Sequence, residues 1–135
     1  MNTSYDEIFT CFINNCGIDT SRLPTEDSKL YEMIKNAIIH YNVFLKDESP
    51  IIGNDEEELL NTELDGSRLL ILAYCLKYVY LENELVGFEE LWSPFQQEVG
   101  IKDYRSQVFA RQDTLNRTTN KIIELLTSIE DRSLM

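Results

Sequence analysis

Hydrophobic residues fill almost every position of one segment, from Gly66 to Gly87. On a helical period the exceptions form one narrow line: Gly66, Ala73, Lys77, Tyr80 and Glu84. A helix that is apolar on nearly every face has to be wrapped by other elements. The segment therefore predicts a buried central helix that Asp65 caps and that ends before Gly87. Apart from the line through Lys77 and Glu84, we expect little of it to meet partners.

Two amphipathic patterns precede this segment. Ser4 and Glu7 match a capping box, and apolar residues then recur at helical spacing until Gly17 ends the helix. Thr25 is the predicted cap of a second helix. Its buried stripe comprises Leu30, Ile34, Ala37, Ile38 and Tyr41. Its exposed stripe comprises Lys29, Glu32, Asn36 and His40.

Residues 46–65 interrupt the helical pattern. Turn signals occur at positions 49–50 and 53–54. They are followed by a solid run of acidic residues: Asp55, Glu56, Glu57 and Glu58. This composition predicts a surface loop with a short helix near Leu59 and Leu60.

The C-terminal segment contains neither glycine nor proline from Lys102 to Ile129 and predicts one long helix. Its apolar residues lie on one seam: Tyr104, Val108, Leu115, Ile122, Leu126 and Ile129. Such a helix is roughly 40 Å long, which exceeds the width of a small domain, so we expect part of it to project or to meet a partner. The sequence thus predicts an all-α fold, a single domain over residues 1–135. It is a small bundle of four to five helices around a buried central helix, with a long C-terminal helix.

Charge narrows the function classes. The formal net charge is −12, which is poorly suited to gripping nucleic acid by its phosphates. Residues 102–135 contain six basic and five acidic side chains, a balance of +1, so the remainder of the chain carries −13. We expect the acidic body and the charge-balanced C-terminal helix to face different neighbours.

Candidate catalytic chemistry is sparse. His40 is the only histidine of the sequence, and its predicted place on an exposed stripe does not suit a nucleophile–base pair. The acidic run lacks the spaced pattern of a calcium loop. All-helical nucleotide pyrophosphatases use a Glu-Glu-x-x-Glu magnesium cluster, but here Glu57 and Glu58 are followed by Asn61. We expect no enzyme activity, no catalytic residue, no cofactor and no metal.

The remaining compositional features describe an ordinary intracellular chain. Three cysteines, an odd number without metal spacing, are expected to be core thiols: Cys11, Cys16 and Cys75. The first residues lack a signal-peptide pattern, so we expect no export. The central apolar segment is too short and too often interrupted by charges to predict a membrane span.

Three segments together resemble the head–tail connector (adaptor or head-completion) proteins of long-tailed double-stranded DNA phages. They are the capped first helix, Ser4-Tyr5-Asp6-Glu7-Ile8-Phe9; the buried helix, Ser67-Arg68-Leu69-Leu70-Ile71-Leu72-Ala73-Tyr74-Cys75-Leu76; and the long polar helix, Asp103-Tyr104-Arg105-Ser106-Gln107-Val108-Phe109-Ala110-Arg111. The resemblance spans most of the chain and rests on pattern, not on an invariant motif.

This resemblance implies a structural protein of the virion neck, made in the host cytoplasm. Copies would form a ring, commonly of twelve, beneath the portal protein, extend the DNA channel and dock the next neck or tail-completion protein. DNA would pass without specific binding, and no membrane would be involved. Candidate subunit or portal contacts are Tyr104, Arg105, Arg111, Arg117 and Lys121. The candidate channel or docking loop is Asp55, Glu56, Glu57 and Glu58.

Other classes stay open at this point. The main alternative is an acidic phage-encoded binding or inhibitor protein that acts on a host protein. A DNA mimic is disfavoured because the acidic residues are bunched and the last helix is balanced. A small terminase subunit would need a basic N-terminal helix-turn-helix, and residues 1–45 are acidic.

Overall fold

A computed structural model describes the backbone of residues 1–92 and 101–133, and the side chains of residues 1–21, 23–87 and 105–129. Within these ranges the chain forms four α-helices and one two-stranded antiparallel hairpin. The helices are α1 (Tyr5–Asn15), α2 (Asp27–Phe44), α3 (Gly66–Trp92) and α4 (Ile101–Ser133), and Thr20–Arg22 form a short 3-10 turn. The strands are β1 (Gly53–Asn54) and β2 (Leu59–Leu60). The predicted small, mostly helical bundle is confirmed.

Helix α3 lies at the centre, and α1, α2 and α4 pack against it. From Ser67 to Leu81 none of its residues is exposed. Ile71, Leu72 and Leu76 are completely buried, as is Cys75. The all-round apolar pattern therefore produced the predicted central helix, because three neighbouring helices cover its faces.

The narrow line of less apolar positions along α3 is largely shielded from solvent. Ala73 and Tyr80 are buried, whereas Lys77 and Glu84 are half-buried. The Lys77 ammonium lies 5.8 Å from the ring centre of Tyr74. The Tyr80 hydroxyl donates a hydrogen bond of 3.1 Å to Glu84 Oε1. Both charged side chains are thus engaged within the bundle.

The ends of α1 follow the sequence signals, whereas the start of α2 is shifted by one residue. Glu7 N donates to Ser4 Oγ at 3.1 Å, which caps α1. Gly17 follows the helix with φ +61°, a left-handed conformation that glycine adopts at low cost. The prediction of Thr25 as the cap of α2 is wrong by one residue. Glu26 is the N-cap, with an extended backbone and no capping hydrogen bond from its side chain.

Helix α3 does not end before Gly87, as the sequence predicted, but continues to Trp92. A single glycine inside a helix costs only about 1 kcal/mol, which continued backbone hydrogen bonding can offset. Pro94 comes two residues after the helix end, and a proline disfavours helix at the residue before it. The sequence also predicts a short helix or turn at Phe88, Leu91, Trp92 and Phe95 that lays aromatic side chains over one end of the core. As a separate element this prediction is wrong up to Trp92, because Phe88, Leu91 and Trp92 continue α3. The predicted aromatic contacts lie outside the described side chains.

The hairpin replaces the short helix that was predicted near Leu59 and Leu60. Gly53 pairs with Leu60 and Asn54 with Leu59. The N-terminal residues extend this sheet, because Ser4 forms an antiparallel bridge with Leu59. Thr3, which is buried, has both backbone groups bonded: Thr3 N donates to Thr62 O at 3.0 Å, and Leu60 N donates to Thr3 O at 2.8 Å.

The long C-terminal helix is confirmed: α4 has 33 residues, which corresponds to roughly 50 Å. Its inner side is buried or half-buried at every turn from Val108 to Ile129. Leu115, Thr118 and Ile122 are buried there, and Thr118 Oγ1 donates to Thr114 O at 2.9 Å. This stretch therefore packs along the bundle and does not project from it. None of the helices in the described ranges combines the length and apolarity that crossing a bilayer requires.

Candidate functional site

The acidic run forms the turn between β1 and β2. We call Asp55, Glu56, Glu57 and Glu58 the acidic turn. Asn54 Oδ1 accepts hydrogen bonds from Glu56 N at 3.0 Å and Glu57 N at 3.2 Å, which closes the turn locally. The side chains of Glu56 and Glu57 are exposed. The turn thus presents carboxylates to solvent on a hydrogen-bonded backbone.

Tyr5 anchors the acidic turn to the start of α1. Its hydroxyl donates to Asp55 Oδ1 at 2.7 Å, and its backbone N donates to Glu58 O at 2.9 Å. Burial of the Tyr5 side chain, followed by the contact with Asp55, raises the pKa of its hydroxyl. Glu58 has φ +56°, which is uncommon for a residue with a side chain. Two hydrogen bonds therefore tie the predicted docking loop to the start of α1.

The basic residues of α4 do not form a single surface. Arg105 is exposed. Arg117 Nη2 lies 3.1 Å from Asp113 Oδ2, and Lys121 Nζ lies 3.7 Å from Glu124 Oε2. These exposed pairs lie within one helix and contribute little to stability. Arg117 and Lys121 thus remain available to another surface.

Two other predicted contact residues differ from these. Arg111 is half-buried and lies on the inner side of α4, between Val108 and Leu115. Tyr104 lies outside the described side chains. Phe109, whose side chain is 70% exposed, is not among the contact residues predicted from the sequence. At 100° per residue, Phe109 lies well away from the apolar seam, and this could have been read from the sequence.

A second apolar surface lies between α2 and the hairpin. This hairpin groove has a volume of about 360 Å³. Its walls comprise Lys35, Ile38 and Ile39 on the α2 side, and Ile51, Ile52 and Asp55 on the hairpin side. Ile39 and Ile52 are 53% and 64% exposed. No sequence pattern indicated this groove, because residues 51–52 belong to the segment predicted as an irregular loop.

A polar cleft of about 370 Å³ lies near the C-terminal end of α2. Arg68 bonds Glu48 through two parallel contacts, Nε to Oε1 at 2.8 Å and Nη2 to Oε2 at 2.6 Å. Arg68 Nη1 also donates to Asp65 Oδ2 at 2.6 Å, and Arg68 N donates to Asp65 Oδ1 at 2.8 Å. The predicted cap by Asp65 is confirmed. Two carboxylates neutralise the guanidinium, so the cleft offers no net positive charge. The Arg68–Glu48 pair ties the loop after α2 to the start of α3.

The Arg68–Glu48 pair makes stability depend on acid pH. Hydrogen bonds from Arg68 hold the pKa of Glu48 below its usual value of 4.5. The pair therefore stabilises the fold above the unfolded-state pKa, and this contribution is lost as pH falls through the folded-state pKa. We expect Glu48→Gln to cost about 1 kcal/mol at pH 7 and less at pH 3. Urea unfolding at both pH values measures this difference, with exposed Glu32→Gln as the control.

His40 is half-buried, so its predicted place on the exposed stripe is wrong. Its ring meets the Tyr78 ring edge-on with centroids 5.1 Å apart, beside a cavity of about 160 Å³ that Cys75 also lines. Burial raises the pKa of the Cys16 and Cys75 thiols to about 12. In the described part of the chain, no three His, Cys, Asp or Glu side chains are grouped so that they could hold a metal ion.

Comparison with known proteins identifies the family. The chain is 36% identical over 124 residues to the SPbeta prophage-derived uncharacterized protein YomZ of Bacillus subtilis (strain 168), an alignment covering 92% of this chain and 93% of that protein. The family model described as YomZ prophage protein matches residues 1–130. The chain belongs to the YomZ prophage protein family. The phage origin implied by the resemblance to connector proteins is thus confirmed. No solved structure matches the chain.

The match to the YomZ family covers the elements that carry the candidate surfaces. The matched range, residues 1–130, contains the acidic turn, the hairpin groove and α4 as far as residue 130. These surfaces therefore lie within the matched range.

Proposed function

We propose that this YomZ-family protein is a structural component of the virion neck, in which copies form a ring beneath the portal. The observation that carries the proposal is the outer side of α4. One side of this helix packs on the bundle from Val108 to Ile129, whereas Arg105, Phe109 and Arg117 on other sides are exposed. A long helix of phage origin with an exposed aromatic and arginines has the composition of a protein interface.

The charge distribution supports the same role. Outside residues 102–135 the chain carries −13, and Glu56 and Glu57 are exposed on a fixed turn. Carboxylates that face a channel would let DNA pass, because phosphates find no counter-charge there. In the proposed ring the acidic turn lines the channel or docks the next neck or tail-completion protein. The proposed role requires no catalytic residue, cofactor or membrane.

Electron microscopy of the purified protein mixed with the portal of the same phage tests the proposal. We expect an added ring beneath the portal, commonly of twelve copies. The variant Arg105→Glu/Arg117→Glu should lower the fraction of portals that carry a ring by about tenfold or more, because reversed charges at an interface cost binding free energy.

The control is Lys29→Glu, an exposed charge reversal on α2, which should leave the ring intact. Portals that carry no ring with the unaltered protein would contradict the neck function. Full ring formation by the Arg105→Glu/Arg117→Glu variant would show that these arginines of α4 are not part of the interface. The proposal of a ring would still stand.

A second candidate function rests on the acidic turn. A preorganised set of carboxylates loses little entropy on binding, which favours a basic partner surface. On this alternative the protein is a phage-encoded inhibitor of a host protein. Capture of one host protein by the unaltered chain, lost in Glu56→Lys/Glu57→Lys, together with portals that carry no ring, would favour this alternative over the neck.

A further inference from the structure

Two exposed apolar surfaces of this chain differ in shape. Phe109 projects a large aromatic side chain from the outer side of α4, 70% exposed. The hairpin groove is concave, and its exposed apolar residues are Ile39 and Ile52. Its volume of about 360 Å³ lies near the lower end of the roughly 300–1,000 Å³ typical of binding clefts. A cleft of this volume has room for one aromatic side chain.

The charges beside the two surfaces are complementary. Arg105 and Asp113 lie one turn before and one turn after Phe109 on α4, and both are exposed. The hairpin groove carries Asp55 on one wall and Lys35 on the other. The ion pair between Asp113 and Arg117 is exposed on both sides, so it is weak enough to exchange partners.

We propose that Phe109 of one copy inserts into the hairpin groove of a second copy, with Arg105 directed to Asp55 and Asp113 to Lys35. The contact joins two different surfaces of the same chain, so it is heterologous and generates a ring when the rotation closes. This inference rests on the proposed ring function and names the surfaces through which its copies meet.

Preorganisation favours this contact. The Tyr5 hydroxyl fixes Asp55 at 2.7 Å, and Asn42 fixes the groove wall through its side chain, which bonds both Ile51 N at 2.9 Å and Ile51 O at 3.1 Å. Because these groups are already ordered, binding loses little conformational entropy at the groove. An aromatic knob in a preformed cleft is a frequent hot spot.

Site-directed crosslinking tests the contact. One preparation carries Ser106→Cys, an exposed position one turn before Phe109, so that Phe109 itself stays intact. Another carries Ile52→Cys, and both carry Cys11→Ser, since burial leaves the other two native thiols unreactive. The two are mixed at about millimolar concentration and treated with a short bis-maleimide. We expect crosslinked dimers that contain one chain of each kind.

The matched control replaces Ile52→Cys by Ile13→Cys, another exposed isoleucine, on α1, and should give no dimer. Equal crosslinking with Ile13→Cys, or no crosslinking with Ile52→Cys, would overturn the contact. Portals that gain a ring without the crosslink between positions 106 and 52 would show that copies meet elsewhere. If the crosslink forms but portals carry no ring, the contact between copies is supported and the neck function is contradicted.

A substitution provides the second measurement. Phe109→Asp should weaken self-association, measured by sedimentation equilibrium, by about 30-fold or more, as expected for an interface hot spot. Ile123→Asp introduces the same carboxylate at another exposed apolar position of α4 and should have no effect. Circular dichroism verifies that both variants retain the helical fold. Unchanged self-association of Phe109→Asp would overturn the proposal.

Discussion

Replacing Ile71 by alanine is expected to lower the free energy of unfolding by about 2–5 kcal/mol. Ile71 lies in the N-terminal half of α3 and is completely buried. Removing its outer carbons leaves a cavity among side chains from the surrounding helices, and the bundle can collapse into it only in part. Since small domains are stable by about 5–15 kcal/mol, this loss is a large share of the total.

The matched control is Ile39→Ala. Ile39 has the same side chain but is 53% exposed on α2, so its removal should change the unfolding free energy by about 0.5 kcal/mol or less. Urea denaturation of both variants, at a concentration where the protein is monomeric, gives the two values. Equal losses would show that α3 is not the centre of the core.

Gly53→Ala is expected to destabilise the fold by about 1–3 kcal/mol, because the groove wall has no room for a methyl group. A Cβ atom at this position would lie 2.5 Å from Tyr5 Oη and 3.2 Å from Ile38 Cδ1. The Tyr5 hydroxyl would have to move and give up its bond to Asp55. The acidic turn would then lose an anchor, which urea unfolding and hydrogen exchange at residues 55–58 both detect.

A double-mutant cycle isolates the cause. Tyr5→Phe alone removes one hydrogen bond and should cost about 0.5–1.5 kcal/mol. Without the hydroxyl, the nearest ring carbon at position 5 is 3.4 Å from the new Cβ position. In the Tyr5→Phe background, Gly53→Ala should therefore cost clearly less than in the unaltered chain. Strict additivity of the two substitutions would show that the hydroxyl is not the obstacle.

Periodicity was sufficient for the helices because their signals are local. Ser4 and Gly17 bound α1, and the unbroken segment after Lys102 formed α4. The predicted end of α3 before Gly87 is wrong, because a single glycine disfavours a helix only weakly. Each helix of the predicted bundle, including the buried central one, is indicated by residues that lie within that helix.

The hairpin could not be predicted in this way, because its pairing depends on residues far away in the chain. Each strand has only two residues, and the sheet gains support from the bridge between Ser4 and Leu59. The left-handed backbone at Glu58 also has no sequence signal, since glycine is the residue that usually marks it. The hairpin groove depends on this fold and was missed for the same reason.

The candidate interface on α4 was predicted by residue type and not by position on the helix. Residue type favours arginines as contact residues, but Arg111 lies on the inner side of the helix. Phe109 is the largest exposed apolar side chain described on α4, and residue type alone does not indicate it. Plotting the sequence on a helical wheel would have corrected both choices, whereas the groove that we propose for Phe109 required the tertiary structure.

The backbone bonds of Thr3 have a consequence for synthesis on the ribosome. Their partners, Leu60 and Thr62, are translated almost sixty residues later. Thr3 therefore stays without these partners until α1, α2 and the hairpin have been translated. Contacts of such long sequence separation slow folding, and we expect the segment around Thr3 to become resistant to proteases only after Thr62 has left the exit tunnel.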